Sequence, residues 1–190
     1  MCAHHLSDSI RKKVSKALRE QLHLPKGKHT TILVAISGGK DSAVLLERIH
    51  DNLSRRRDVT IVGGCVDEGI AGYRPPSLEC ARQLCEKLGI RFETVSYPEL
   101  GFKEMDEVAQ KILDTNDKKA PCSYCGVFRR QGINHLAERV GADVIALGHN
   151  LDDMAQTIMM NMQNGDVERT LRLAPHTNTP LEGMAPRIVP

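Results

Sequence analysis

Residues Ser37-Gly38-Gly39-Lys40-Asp41-Ser42 put two glycines, two hydroxyls, a cation and a carboxylate into six positions. That mixture suits phosphate. Gly38 and Gly39 let the backbone approach an anion with no Cβ in the way. Backbone N–H groups in such a turn, followed by a helix N-terminus, form an anion cradle. Ser37 and Ser42 add hydroxyl donors, and Lys40 adds positive charge. Asp41 is out of place in a simple anion nest and needs a task, either holding Mg²⁺ or fixing the loop. The Gly-x-x-x-x-Gly-Lys-[Ser/Thr] spacing of the common nucleotide loop is missing. The plainer alternative is a glycine-rich turn with a serine helix cap.

Cys122-Ser123-Tyr124-Cys125 is the second chemical signal. Thiolates at Cys-x-x-Cys spacing bind zinc or iron–sulfur clusters, or exchange disulfides. Arg129 and Arg130 follow one turn later, where they can lower thiol pKa values or bind phosphate. A structural zinc needs four ligands, and no second Cys-x-x-Cys accompanies this pair. A partial iron–sulfur site or a sulfur-carrying pair fits better, with two unliganded cysteines at a helix start as the alternative. In Gly148-His149-Asn150-Leu151-Asp152-Asp153 the aspartates read as helix-cap chemistry, or as carboxylates for Mg²⁺ beside a triphosphate. Cys2 and His5 have ligand spacing, but two ligands do not make a structural zinc site.

These residues need elements to position them. An amphipathic helix is predicted over Leu6–Leu22, closed by Pro25–Lys28. Strands are predicted at Thr31–Ile36, Val59–Val66, Arg91–Ser96 and Asp143–Leu147. Helices are predicted at Lys40–Leu53, Pro75–Leu88, Phe102–Leu113, Cys125–Arg139 and Asn150–Met162, the last with a methionine-rich face. Asp114–Pro121 reads as a polar loop, and the last residues as a β-like segment. The alternation implies an α/β fold: a doubly wound parallel sheet with helices on both faces. Ligands then sit beyond the strand C-termini. Ser37–Ser42, Asp67–Arg74 and Gly148–Asp153 all fall there.

The 190 residues support one domain with a small appendage. With 41% hydrophobic and 26% charged residues, the composition is that of a soluble globular chain. No apolar run approaches the roughly 20 residues that span a bilayer, and no signal peptide is visible. No membrane association and a cytoplasmic location are expected. The net charge of +2 does not by itself announce nucleic-acid binding. Arg55–Arg57, Arg129–Arg130 and the pair Arg169 and Arg172 read first as solvated surface. Aromatic residues are only 3%, so RNA contact would rest on phosphate and shape. Cys65, Cys80 and Cys85 read as core residues.

The Ser37–Ser42 motif after an apolar strand resembles the PP-loop of N-type ATP pyrophosphatases. Together with Val66–Arg74, Pro121–Arg130 and Gly148–Asp153, it resembles the PP-loop tRNA thiolases. The resemblance is to the cytoplasmic tRNA 2-thiolation protein 1 family and its archaeal counterparts, and it covers nearly the whole chain. It implies an adenine nucleotide alpha hydrolase-like fold, with a PP-loop domain over 28–190. Residues 1–27 are then a remnant of an N-terminal zinc finger plus a short helix, and the chain is truncated at both ends.

The implied activity is ATP-dependent 2-thiouridine synthesis at the tRNA wobble position, by adenylation of the uridine C2 oxygen followed by sulfur transfer. Alternatives are 2-thiolation of a thymine-loop uridine or an anticodon-loop cytidine, or a nucleotide-binding module without turnover. The implied ATP site comprises Ala35, Ile36, Ser37, Gly38, Gly39 and Lys40, with Asp41, Ser42, Val66, Arg129 and Gly148. Cys122, Cys125 and Asp41 are the implied catalytic residues. Cys122 and Cys125 hold a [4Fe-4S] cluster in this reading, although no third cysteine follows Cys125. Cys2 and His5 form an incomplete Zn²⁺ site, and Asp153 is a candidate for Mg²⁺. Implied partners are tRNA, a ubiquitin-like sulfur carrier or other sulfur donor, and a second copy or a paralogue.

Overall fold

The computed structural model describes residues 2–115, 120–171 and 184–190. Five parallel strands lie in the order β3-β2-β1-β4-β5. They are β1 (Thr30–Ala35), β2 (Val59–Asp67), β3 (Arg91–Ser96), β4 (Val144–Ala146) and β5 (Arg187–Ile188). From β1 the chain builds outward through β2 to β3, then returns to place β4 on the other side of β1. The strand order therefore reverses between β1 and β4, and the crevice there is where such sheets take ligands.

Burial on both faces explains the apolar runs of β1, β2 and β4; the edge strand β3 is more polar. Ile32, Val34, Cys65 and Ala146 share one core cluster with Leu45, Leu46 and Ile49 of α2 (Lys40–Leu53) and Ala81 and Cys85 of α3 (Arg74–Leu88). Leu18 of α1 (Ala3–Gln21) joins the same cluster. Leu33, Val62, Val95 and Ile145 point to the opposite face. There they meet Met105 of α4 (Met105–Thr115) and Leu136 of α5 (Pro121–Val140). Each fully buried aliphatic side chain stabilises the fold by about 1.5–3 kcal/mol relative to exposure. α6 (Leu151–Gln163) and the short α7 (Val167–Leu171) follow β4.

The expected parallel, doubly wound sheet is present, and the differences from expectation have local causes. α5 starts at Pro121, not Cys125, because proline is preorganised for the first helical position. α4 starts at Met105, not Phe102. A 3-10 turn, Pro98–Leu100, ends at Gly101 with φ 77°, and Phe102 then donates its N–H to the Tyr97 carbonyl at 2.9 Å. Cys65 and Cys85 are core residues as expected, but Cys80 is exposed. The methionines Met159, Met160 and Met162 are exposed on α6. Arg172 lies outside the described residues.

Candidate functional site

The turn after β1 is closed by its own residues. Ser42 donates its hydroxyl to the Gly39 carbonyl at 2.9 Å and accepts the Ser37 N–H at 3.1 Å. The Gly39 N–H reaches Ser37 Oγ at 3.3 Å. Ser42 thus organises the loop from a buried position, a role beyond the hydroxyl donor expected from sequence. Gly38 has φ 83°, and a Cβ there would lie 2.0 Å from the Ser77 carbonyl of α3. Only glycine fits this approach. Gly39 is the N-cap of α2, with no side-chain cap, so the first-turn N–H groups have no partner from a capping side chain. The positive end of the helix faces the same place.

Beside this turn lies a cleft of about 240 Å³ at the β1–β4 switch. Of the sequence-predicted nucleotide residues, Ala35, Ile36, Ser37, Gly39, Asp41 and Ser42 line it, as do Val66, Arg129 and Gly148. Gly38 and Lys40 do not. Gly148 approaches so closely that an added Cβ would meet Ser42 Cα at 3.3 Å. A larger cleft of about 410 Å³ runs along α5 beside Met184 and Ala185, and no residue of the phosphate turn lines it.

Glu68 and Arg74 also line the smaller cleft, and both are buried, at 3% and 4% exposure. Arg74 Nε lies 2.7 Å from Glu68 Oε2, a close ion pair without hydrogen-bond alignment. The guanidinium also donates to the Ser37 carbonyl at 3.2 Å, to Cys65 Sγ at 3.1 Å and to the Val66 carbonyl. The second Glu68 oxygen accepts from Arg129 Nε at 3.0 Å. Sequence reading singled out the 67–74 segment without assigning these two side chains. Charged residues just after a buried strand were the available signal.

Arg129 connects this cluster to the thiols. Its Nη2 lies 3.3 Å from Cys125 Sγ. The buried Tyr97 donates to the Cys125 carbonyl at 3.1 Å and lies 3.5 Å from its sulfur. Burial, followed by this contact with Cys125, holds the Tyr97 phenol above its ordinary range. Tyr97 meets Phe128 edge-on at 5.5 Å, and Phe128 stacks on Phe102 at 4.3 Å. Cys122 and Cys125 sit in the first two turns of α5, one exposed and one half-buried. Burial pushes the Cys65 and Cys85 thiols up to about 11, so those two stay neutral at ordinary pH.

The remaining expected metal residues stand apart from the cleft. Asp153 forms a capping box with Asn150: each accepts the other's backbone N–H at 2.9 Å. Cys2 Sγ and His5 Nδ1 are 3.1 Å apart at the start of α1. Among the described residues, no group of three or more His, Cys, Asp or Glu side chains is placed to hold a metal ion. Cys2 and His5 alone therefore do not fit structural zinc. Cys122 and Cys125, in the first two turns of α5, likewise supply two thiols, of a kind that iron–sulfur clusters take.

Fold and site together define a class: an α/β domain with a phosphate-binding turn at the switch point of its sheet. The chain belongs to the PP-loop domain family, whose model matches residues 6–184. It is 37% identical over 176 residues to the tRNA 2-thiolation protein NcsA of Haloferax volcanii, covering 90% of this chain and 54% of that one. It is 40% identical over 162 residues to the cytoplasmic tRNA 2-thiolation protein 1 of Chlamydomonas reinhardtii, covering 84% and 43%. The chain thus spans about half the length of these relatives. The solved U34-tRNA thiolase NcsA of Methanococcus maripaludis, with its [4Fe-4S] cluster, superposes with a TM-score of 0.82 at 31% identity. That match covers 99% of this chain and 60% of the other.

Proposed function

We infer that this chain carries the ATP-using half of a tRNA 2-thiouridine synthesis, acting on the wobble uridine. The observation that carries the reading is the direct link between the phosphate cleft and a Cys-x-x-Cys pair, through Arg129. Its relatives are tRNA 2-thiolation proteins. The uridine C2 oxygen is a poor leaving group. Its attack on the ATP α-phosphorus forms an O–P bond and expels pyrophosphate. A sulfur nucleophile then attacks C2, and AMP departs with the oxygen.

The first-turn amides of α2 and the Ser37–Ser42 turn hold the phosphates, and Arg129 meets the charge that develops on the α-phosphate. Donors fixed in advance do this best. Ala35, Ile36 and Val66 edge the adenosine. Asp41, at the cleft, holds Mg²⁺ together with the phosphates, as that ion prefers; Asp153 is the second candidate. Cys122 and Cys125 bind a [4Fe-4S] cluster, which when bound supplies iron that takes up sulfur. Sulfur comes from a ubiquitin-like carrier or another donor. The protein works in the cytoplasm, as a dimer or with a paralogue.

The test is pyrophosphate release from ATP in the presence of tRNA, with mass spectrometry of the modified nucleosides. We expect tRNA-dependent pyrophosphate release by the full-length protein and 2-thiouridine as the product. Thiocytidine as the main product, or no ATP turnover, overturns the reading.

A further inference from the structure

We propose that Glu68 is the positioning residue of the site, fixing Arg129 between the nucleotide cleft and the thiol turn by sharing one buried carboxylate between Arg129 and Arg74. This rests on the proposed ATP reading and deepens it. A carboxylate at 3% exposure is costly unless fully paired. Glu68 is paired on both oxygens, with partners that differ in kind. Arg74 is buried, and its guanidinium donates to the Ser37 and Val66 carbonyls. Arg129 is half exposed, with 52% of its side chain accessible, on a different helix.

The consequence is geometric. Arg74 ties the carboxylate to the phosphate turn itself, since its Nη1 holds the carbonyl of Ser37. Glu68 then uses its other oxygen to fix Arg129 relative to that turn. The three groups carry two positive charges and one negative. Both guanidinium groups line the cleft, where Asp41 is the other carboxylate, so the anion meets directed donors and not a surplus of charge. An exposed arginine without this anchor must lose rotamer freedom when it takes a phosphate. Glu68 meets that cost during folding. The loop bearing it is itself pinned: the Glu68 carbonyl accepts the Met105 N–H at 2.8 Å, and Asp67 accepts the Gly69 N–H at 3.0 Å.

The test is a double-mutant cycle on the 190-residue chain, read as affinity for ATP with Mg²⁺ by calorimetry. The four proteins are the wild type, Glu68→Gln, Arg129→Gln and the double variant. Folding of each is checked by urea unfolding. If Glu68 acts through Arg129, Glu68→Gln weakens ATP about tenfold when Arg129 is present and less than about twofold in the Arg129→Gln background, as coupled neighbours do. A purely structural Glu68 gives equal losses in both backgrounds, and that result overturns the proposal, as does no loss at all. If Glu68→Gln does not fold, Glu68→Asp replaces it. That variant keeps a charge beside Arg74 but withdraws the reach to Arg129, and the same outcomes decide. A wild-type chain that binds no ATP fails the ATP reading itself, and this proposal falls with it. Binding with additive losses leaves the ATP reading standing and removes only this proposal.

Discussion

The phosphate turn and the thiol turn are two small sites built in opposite ways. The first is held largely by itself: Ser37, Gly39 and Ser42 bond one another within six residues. The second is held mostly from outside. Cys125 takes its hydrogen-bond partners from Tyr97, 28 residues away, and from Arg129, whose own anchor is Glu68, 61 residues away. The difference teaches where each site is vulnerable. A self-closed turn fails when its own backbone is disturbed, whereas a turn held from outside weakens gradually through distant residues. Two ties to α3 qualify the contrast: the space that Gly38 leaves for Ser77, and the hydrogen bond from Arg74 to the Ser37 carbonyl.

Five substitutions test this contrast, from the largest expected effect to the smallest. Gly38→Ala forces a Cβ to within 2.0 Å of a backbone carbonyl, at a φ that alanine rarely adopts. ATP binding is expected to vanish in calorimetry, while circular dichroism still reports the helices. Retained affinity breaks the claim that the turn admits only glycine. Next, Cys122→Ser or Cys125→Ser should abolish tRNA thiolation and the iron–sulfur absorption band after anaerobic reconstitution. Pyrophosphate release should survive, because the phosphate turn does not draw on these thiols. Thiolation at the wild-type rate makes the pair structural.

Asp41→Ala removes the exposed carboxylate of the cleft without touching the core. Pyrophosphate release should fall by about 10²–10³, the scale for losing one preorganised contact to the transition state. An unchanged rate removes Asp41 from the site. The smallest effect belongs to Tyr97→Phe. It deletes one hydrogen bond to the Cys125 carbonyl and keeps the aromatic packing, so urea unfolding should show a loss of about 1 kcal/mol. ATP affinity should not change. If it does, the two sites are less separable than the geometry implies.

The same contrast explains what was legible in the chain. Strands β1, β2 and β4 announced themselves as apolar runs, and α2 was placed to the residue, because periodicity and turn glycines are local properties. The start of α5 was missed, although Ala120-Pro121 carried the signal: proline in first helical position. Asp153 was read as a cap or a carboxylate for Mg²⁺, and the structure shows it in a capping box with Asn150. Cys80 misled because an apolar neighbourhood in sequence does not say which face of α3 meets the sheet.

By itself the sequence determined the sheet class, the phosphate turn and the presence of a cysteine pair, since each is written in contiguous residues whose physics is local. Only the tertiary structure decided that Glu68 would join Arg74 to Arg129 and that Tyr97 would reach Cys125. Those partners lie on separate elements, and their meeting depends on strand order and on the packing of α5 over β2. Many folds could have carried the same motifs. A carboxylate buried between two arginines is stable only where the sheet brings both guanidinium groups to it.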